Sequence, residues 1–223
     1  MRRILGFLIL AMCFLQSVSS AAEDSLPKLE DFKAILQKLE YYTDNEKSDS
    51  LTHYLYLAEK TCAKFNTGHQ FTPEELTLGS EIYLSIARHS ILKNLILEAI
   101  INYSQAERLA VQAKNEHQLA KVLSKKGNTY LYMGSQIKAI ESFRRATLLY
   151  EQLNEPLALA ECYLSLATIY KNLKKVKLAL ENIERALAIN KELKSSVLLG
   201  KIKIIEAEMM EEMEEYEEAL KLY

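Results

Sequence analysis

Four histidines, three cysteines, a pair of glycines and an acidic run are the residues of this sequence whose types could carry chemistry. A helical metal site needs two histidines four residues apart, so that both rings meet one ion. His53, His69, His89 and His117 are 16, 20 and 28 residues apart, so each is expected as a surface or hydrogen-bonded side chain and no metal is expected. Gly127 and Gly134 stand in GNTYLYMGSQIKAIESF. A phosphate-cradling loop needs four residues between its glycines, a following Lys-Ser or Lys-Thr, and a strand before it, so that backbone amides surround the anion. Here six residues intervene and neither companion is present, which leaves packing as the use of Gly127 and a turn as the use of Gly134. No Gly-x-Ser-x-Gly, Cys/His or Ser/Lys constellation occurs, so no catalytic residue and no cofactor are expected. EAEMMEEMEEYEE at 206–218 has no glycine-containing calcium loop. It is expected as a solvated turn between helices, with a docking surface for a basic partner as the other use.

The elements that would position these residues repeat. Stepped by forty, Ala99, Ala139, Ala179 and Ala219 fall in register, as do Ala106, Ala146 and Ala186, and Tyr103, Phe143, Ile183 and Tyr223. Ala87, Gly127, Ala167 and Ala207 form a fourth series of small residues, and Tyr130 and Tyr170 a large pair. Between these anchors apolar residues recur every three or four, as in Ala139, Ile140, Phe143, Ala146, Leu149 and Tyr150, which is the spacing of a helix with one buried face. Each unit therefore reads as two antiparallel helices of about 17 to 19 residues, with turns at Gly134-Ser135 and Asn154-Glu155-Pro156. Asn154 is expected as an N-cap and Pro156 in the first helical turn.

The stretch GNTYLYMGSQIKAIESFRRA resembles a tetratricopeptide repeat through Gly127, Tyr130, Gly134, Ala139, Phe143 and Ala146, and the next unit repeats it as Ala167, Tyr170, Ala179, Ile183 and Ala186. The family's usual unit is 34 residues, so this is a longer variant, and it weakens at Ser90 and Met210. The resemblance implies an all-α, right-handed α-solenoid of antiparallel helix pairs, with units over 80–114, 120–154, 160–194 and an incomplete 200–223 inside an array at 74–223. Residues 27–68 are out of step and read as a degenerate or capping helix pair. Thr72-Pro73-Glu74-Glu75 reads as a capping box opening the first clear unit.

Composition narrows the function classes. The chain has 223 residues, 49% apolar and 26% charged, with 28 basic and 30 acidic side chains. Such a chain can bury a core, and with no basic block nucleic acid is not an expected partner. The first 22 residues, MRRILGFLILAMCFLQSVSSAA, combine Arg2 and Arg3, an apolar run from Ile4 to Leu15, and small residues at the end, the layout of a signal peptide. That apolar run spans roughly 18 Å, short of a membrane core about 30 Å thick. Leu10-Ala11-Met12-Cys13 departs from a lipobox at Met12. Export to the periplasm or another extracytoplasmic space is expected, with no direct membrane insertion of the mature segment. Cys62 and Cys162 lie two and a half units apart, about 40 Å in stacked helices against about 7 Å for bridged Cα atoms, so both are expected as free thiols. The sequence stops at Tyr223 early in a second helix, which reads as a fragment with a possible membrane tether beyond residue 223.

By resemblance, the first helix of each unit lines a concave groove. The residues facing it would be Arg88, Lys121, Lys125, Asn128, Tyr132, Thr168, Lys171 and Asn172, types that hold a peptide carboxylate or extended backbone. Ser124 stands where the family's carboxylate clamp has lysine. The resemblance thus implies a non-catalytic module binding a protein or peptide, similar to exported bacterial sensor regions that precede a diguanylate cyclase or histidine kinase. A structural scaffold or assembly factor of cell-envelope complexes is the alternative.

Overall fold

The computed structural model describes residues 28–44 and 48–212, the side chains of 43–50 and 212 excepted. Among them the regular elements are helical: α1 (Leu29–Asp44), α2 (Ser48–Ala63), α3 (Pro73–Leu92), α4 (Ile96–Gln112), α5 (Glu116–Tyr132), α6 (Gln136–Gln152), α7 (Pro156–Asn172), α8 (Val176–Leu193) and α9 (Ser196–Glu212), with a 3-10 turn at Lys64–Asn66 after α2. The expected signal peptide over 1–22 and the register positions Ala219 and Tyr223 lie outside the described residues.

Each reversal after α3 has the same construction. Asn94, Lys114, Gly134, Asn154, Lys174 and Lys194 all take left-handed backbone, with φ between 52° and 72°. They fall every twenty residues, half the period of the side-chain pattern. At the first five, the next residue's N–H reaches back five positions: Leu95 to Ser90 at 2.8 Å, Asn115 to Ala110 at 3.1 Å, Ser135 to Tyr130 at 2.8 Å, Glu155 to Tyr150 at 3.0 Å and Lys175 to Tyr170 at 2.9 Å. This is the Schellman closure, which satisfies a helix's last carbonyls at the cost of one left-handed residue. At the sixth, Asn190 Oδ1 takes over and accepts from Ser195 N at 3.1 Å.

This construction corrects one expectation. Asn154 is the left-handed residue and not the N-cap, a position that Glu155 occupies without a side-chain capping bond. Asn tolerates left-handed backbone better than most residues, and the reversal needs such a residue there. Pro156 opens α7 as expected. The expected capping box opens α3: Thr72 Oγ1 accepts from Glu75 N at 3.3 Å, and Glu75 Oε2 accepts from Thr72 N at 2.7 Å.

Antiparallel pairs α3/α4, α5/α6 and α7/α8 pack face to face and stack into a right-handed all-α solenoid. Helices α3, α5, α7 and α9 also meet one another across units, so they form the inner, concave layer, while α4, α6 and α8 form the outer one. The small residues sit at the crossings: Ala87, Ala99, Ala106, Ala139, Ala146, Ala167, Ala179, Ala186 and Ala207 are fully enclosed. Between them Tyr103, Phe143, Ile183 and Tyr170 are buried, while Tyr130 is half-buried. A Cβ on Gly127 would stand 3.1 Å from the Phe143 ring, so this crossing is filled by the aromatic and the other three by a methyl group. At the array's start, Phe65 lies over Gly79 so closely that a Cβ there would come within 2.3 Å, and Phe65 also packs in tilted contact with Phe32 and Phe71, ring centroids 5.5 and 4.5 Å away. Helix α1 reaches α3 with Phe32 and Leu39 buried, covering apolar surface that a solenoid end would otherwise expose.

Cys62 and Cys162 are free and buried, in two different core clusters. The acidic segment departs from the expected solvated turn over its first half. Helix α9 runs through Glu206–Glu212 because Ala207 and Met209 supply a buried face. Glu206 meets Lys203 at 2.7 Å and Glu208 meets Lys171 at 2.6 Å. Residues 213–218 lie outside the described residues.

Candidate functional site: a groove on the inner helices

Helices α5, α7 and α9 present their inner faces to an open cavity of about 440 Å³. Its apolar floor is Leu131, Leu164, Ile204 and Ile205, and its polar rim is Ser124, Lys125, Asn128, Ser165 and Thr168, with Glu161 and Lys201 at its edge. The repeat explains this convergence: Lys125, Ser165 and Ile205 share one forty-residue register, as do Asn128, Thr168 and Glu208. Equivalent positions on parallel inner helices must face the same space.

Hydrogen bonding leaves some rim groups available. Thr168 Oγ1 donates to Leu164 O at 3.0 Å and Ser165 Oγ to Glu161 O at 3.0 Å, so both hydroxyls keep lone pairs for an incoming N–H. Lys125 is exposed and has no ion-pair partner among the described residues. Across the rim, Lys201 Nζ stands 2.6 Å from Glu161 Oε1, each side chain about half-exposed.

The eight residues expected in the groove divide. Lys125, Asn128 and Thr168 line the cavity together. Lys171 is close by but is engaged by Glu208, with its side chain only 12% exposed. Lys121 lies just over a turn before Lys125 and faces Glu81, while Arg88, Tyr132 and Asn172 are exposed towards the ends of their helices. The apolar floor was missed, although stepping Leu164 forward by forty gives Ile204. Also missed was an alternating charge register, Glu81, Lys121, Glu161 and Lys201. Burial pushes the Glu81 carboxyl above its usual range, Lys121 draws it back down, and Glu40 adds to the rise.

Two further partly buried polar features lie outside the groove. Glu107 on α4 accepts from Lys126 on α5 at 2.9 Å and from Arg145 on α6 at 2.7 Å. Burial alone would raise its pKa, but these two charged hydrogen bonds outweigh it and hold the carboxyl below its ordinary value. His89 differs from the expectation of a surface or hydrogen-bonded ring, since its buried Nδ1 has no partner among the described residues. Burial and then Lys93 lower its pKa, against a smaller pull from Glu98. The ring is thereby kept neutral, a state in which an unpaired nitrogen costs least.

Comparison with solved structures places the fold. Aspartyl phosphate phosphatase F from Bacillus subtilis is similar with a TM-score of 0.72 at 17% identity over 87% of this chain, which spans 49% of that protein's length. A putative kinesin light chain from Podosopora anserina with nearly identical TPR-like repeats gives a TM-score of 0.67 at 16% identity, covering 87% of this chain and 92% of that one. A Rap conjugation gene regulator in complex with a Phr peptide gives 0.61 at 14% identity, covering 89% of this chain and 63% of that one. No curated protein matches the sequence. Residues 50–223 match the family model described as soluble NSF attachment protein, SNAP, and because that match takes in well over half of the sequence, the chain belongs to this family of TPR-like helical-repeat proteins.

Proposed function

We propose that this chain is a non-catalytic module that holds a protein segment or extended peptide in the groove of α5, α7 and α9. The observation that carries the reading is the pairing of an unengaged cation, Lys125, with the apolar floor Leu131, Leu164, Ile204 and Ile205 in one open cavity. A carboxylate or backbone carbonyl suits the ammonium group, Asn128 and Thr168 suit an extended backbone, and an aliphatic side chain suits the floor. The Rap regulator with its bound Phr peptide supports this use of the architecture. Selection of displayed peptides on the wild-type chain should enrich sequences combining an aliphatic residue with a free or side-chain carboxylate. Lys125→Glu should weaken the selected peptides by roughly tenfold or more with an unchanged thermal midpoint. Peptides that bind that variant as tightly as the wild type would remove the groove from this role.

We place the module outside the cytoplasm on the layout of residues 1–22, and read it as the sensory part of a longer signalling protein. The name of its family, an attachment protein, favours a second reading as an adaptor or assembly scaffold. A catalytic output domain in the gene downstream of residue 223 would support the first, and a stop soon after it the second.

A further inference from the structure

The turns joining the two helices of a unit all emerge on one edge of the solenoid, because each unit repeats the same reversal. They are residues 92–98, 132–138 and 172–178. In the first two, Leu92, Leu95, Leu97, Tyr132, Met133 and Ile137 are exposed, by between 40% and 84%. Solvated turns favour Gly, Pro, Asn, Asp and Ser, and clustered exposed apolar groups mark an interaction surface. Beside them stand Lys93, Lys138, Lys174, Lys175 and Lys177, all exposed, against one acidic side chain in the three turns, Glu98, which accepts from Ser90 Oγ at 2.8 Å. The opposite edge, at 112–117, 152–157 and 192–197, sets Glu116, Glu155 and Glu192 against Lys114 and Lys194. That edge also exposes Leu157, Leu193 and Val197, so the two edges differ chiefly in charge and in how many apolar tips they carry.

The shape of this edge narrows its occupant. None of these turn residues lines the inner groove or the second cavity, around Ala113 and His117 on the opposite edge. They are tips of successive reversals along an edge of about 40 Å, at two helix diameters per unit. A second copy of this chain is disfavoured along the whole edge, since a two-fold contact of that length would set the lysines of the third turn against the apolar tips of the first. We propose that this edge docks the chain onto an anionic lipid surface, with Leu97, Tyr132 and Ile137 entering the headgroup boundary while Lys174, Lys175 and Lys177 lie over the phosphates. Aliphatic and tyrosine side chains suit that depth, and neighbouring lysines add electrostatic attraction. The contact is peripheral, as no described helix is long and apolar enough to cross a membrane. It is independent of the groove.

An environment-sensitive thiol label tests the edge directly in the full chain. With Cys13→Ser, and with Cys62 and Cys162 buried, Leu97→Cys provides the exposed thiol, and Leu157→Cys on the opposite edge provides the control. Vesicles rich in phosphatidylglycerol should shift the Leu97→Cys label to the blue and leave the Leu157→Cys label unchanged. Adding Lys174→Glu, Lys175→Glu and Lys177→Glu should weaken vesicle affinity by at least about tenfold, with unchanged far-ultraviolet dichroism. The apolar run at Ile4–Leu15 can attach either labelled chain to vesicles but cannot make their labels differ. Equal shifts at both sites, no shift, an affinity unchanged by the lysine substitutions, or a shift obtained with polyglutamate and not with vesicles would each overturn the proposal, the last in favour of an acidic protein partner.

Discussion

Glu107 is one carboxylate answering two cations, and its environment sets a direction for pH dependence. Its folded pKa lies below the ordinary value, so its contribution is fully present above the unfolded pKa, about 4.3, and is lost as pH falls through the folded value. Glu107→Gln should therefore flatten the acid limb of a stability-against-pH curve and cost about 1–2 kcal/mol at neutral pH, a figure reduced for partial solvent screening. Urea melts across the acid range read both effects, and a variant with the wild-type slope would show that the triad contributes nothing. Glu59 and Glu81 act in the opposite sense. Burial raises both, aided by Glu98 at Glu59, so they favour the fold below the unfolded pKa and lose that contribution as pH rises through their folded values. The triad was not singled out in sequence because Glu107, Lys126 and Arg145, although nineteen residues apart in turn, lie off the forty-residue register; they meet through the crossing of α4, α5 and α6.

At the scale of the helix, the reversal is a chemical demand that the sequence meets unevenly. Gly134 satisfies it without strain, and a Cβ there would touch nothing within 4 Å, so Gly134→Ala isolates the backbone cost of left-handed geometry at about 1 kcal/mol. Lys114 occupies the same conformation with φ 53°, and Lys114→Gly should raise stability by about 0.5–1 kcal/mol. Opposite signs for the two changes in thermal or urea melts check the assignment; a loss in both would mean that Lys114 has a contact outweighing its backbone. Helix positions were legible from the alanine and aromatic series because burial constrains residue size wherever helices cross. The twenty-residue turn period was legible only where Gly134 and Asn154 mark it, since lysine at a left-handed position, as at Lys114, Lys174 and Lys194, carries no signal apart from the geometry around it.

Across the whole molecule, the core is divided and not shared. Cys62 belongs to the cluster built by α1–α3 with parts of α4 and α5, and Cys162 to the one running from α5 to α9. Burial pushes the Cys62 thiol well up and the Cys162 thiol to about 12, so neither offers much thiolate in the folded chain. In a Cys13→Ser background, a thiol reagent should modify the two at different rates with different urea dependence, because units that contact only their neighbours open separately. Equal rates that follow global unfolding would instead describe one cooperative block. The inner layer itself was legible from the family resemblance, and three of its expected residues share the groove. The floor and the alternating charges carry no hydrogen-bonding signature of a peptide site, although the same forty-residue step from Leu164 and Glu161 leads to Ile204 and Lys201.

The left-handed residues recur every twenty positions, whereas the groove is lined by every second helix. Removing one helix with its turn would leave each remaining reversal chemically sound, yet every inner face beyond the deletion would become an outer one. Gains and losses in such an array are thus subject to a parity rule: only an even number of helices can be exchanged without turning the binding surface inside out, although the joints would accept any number.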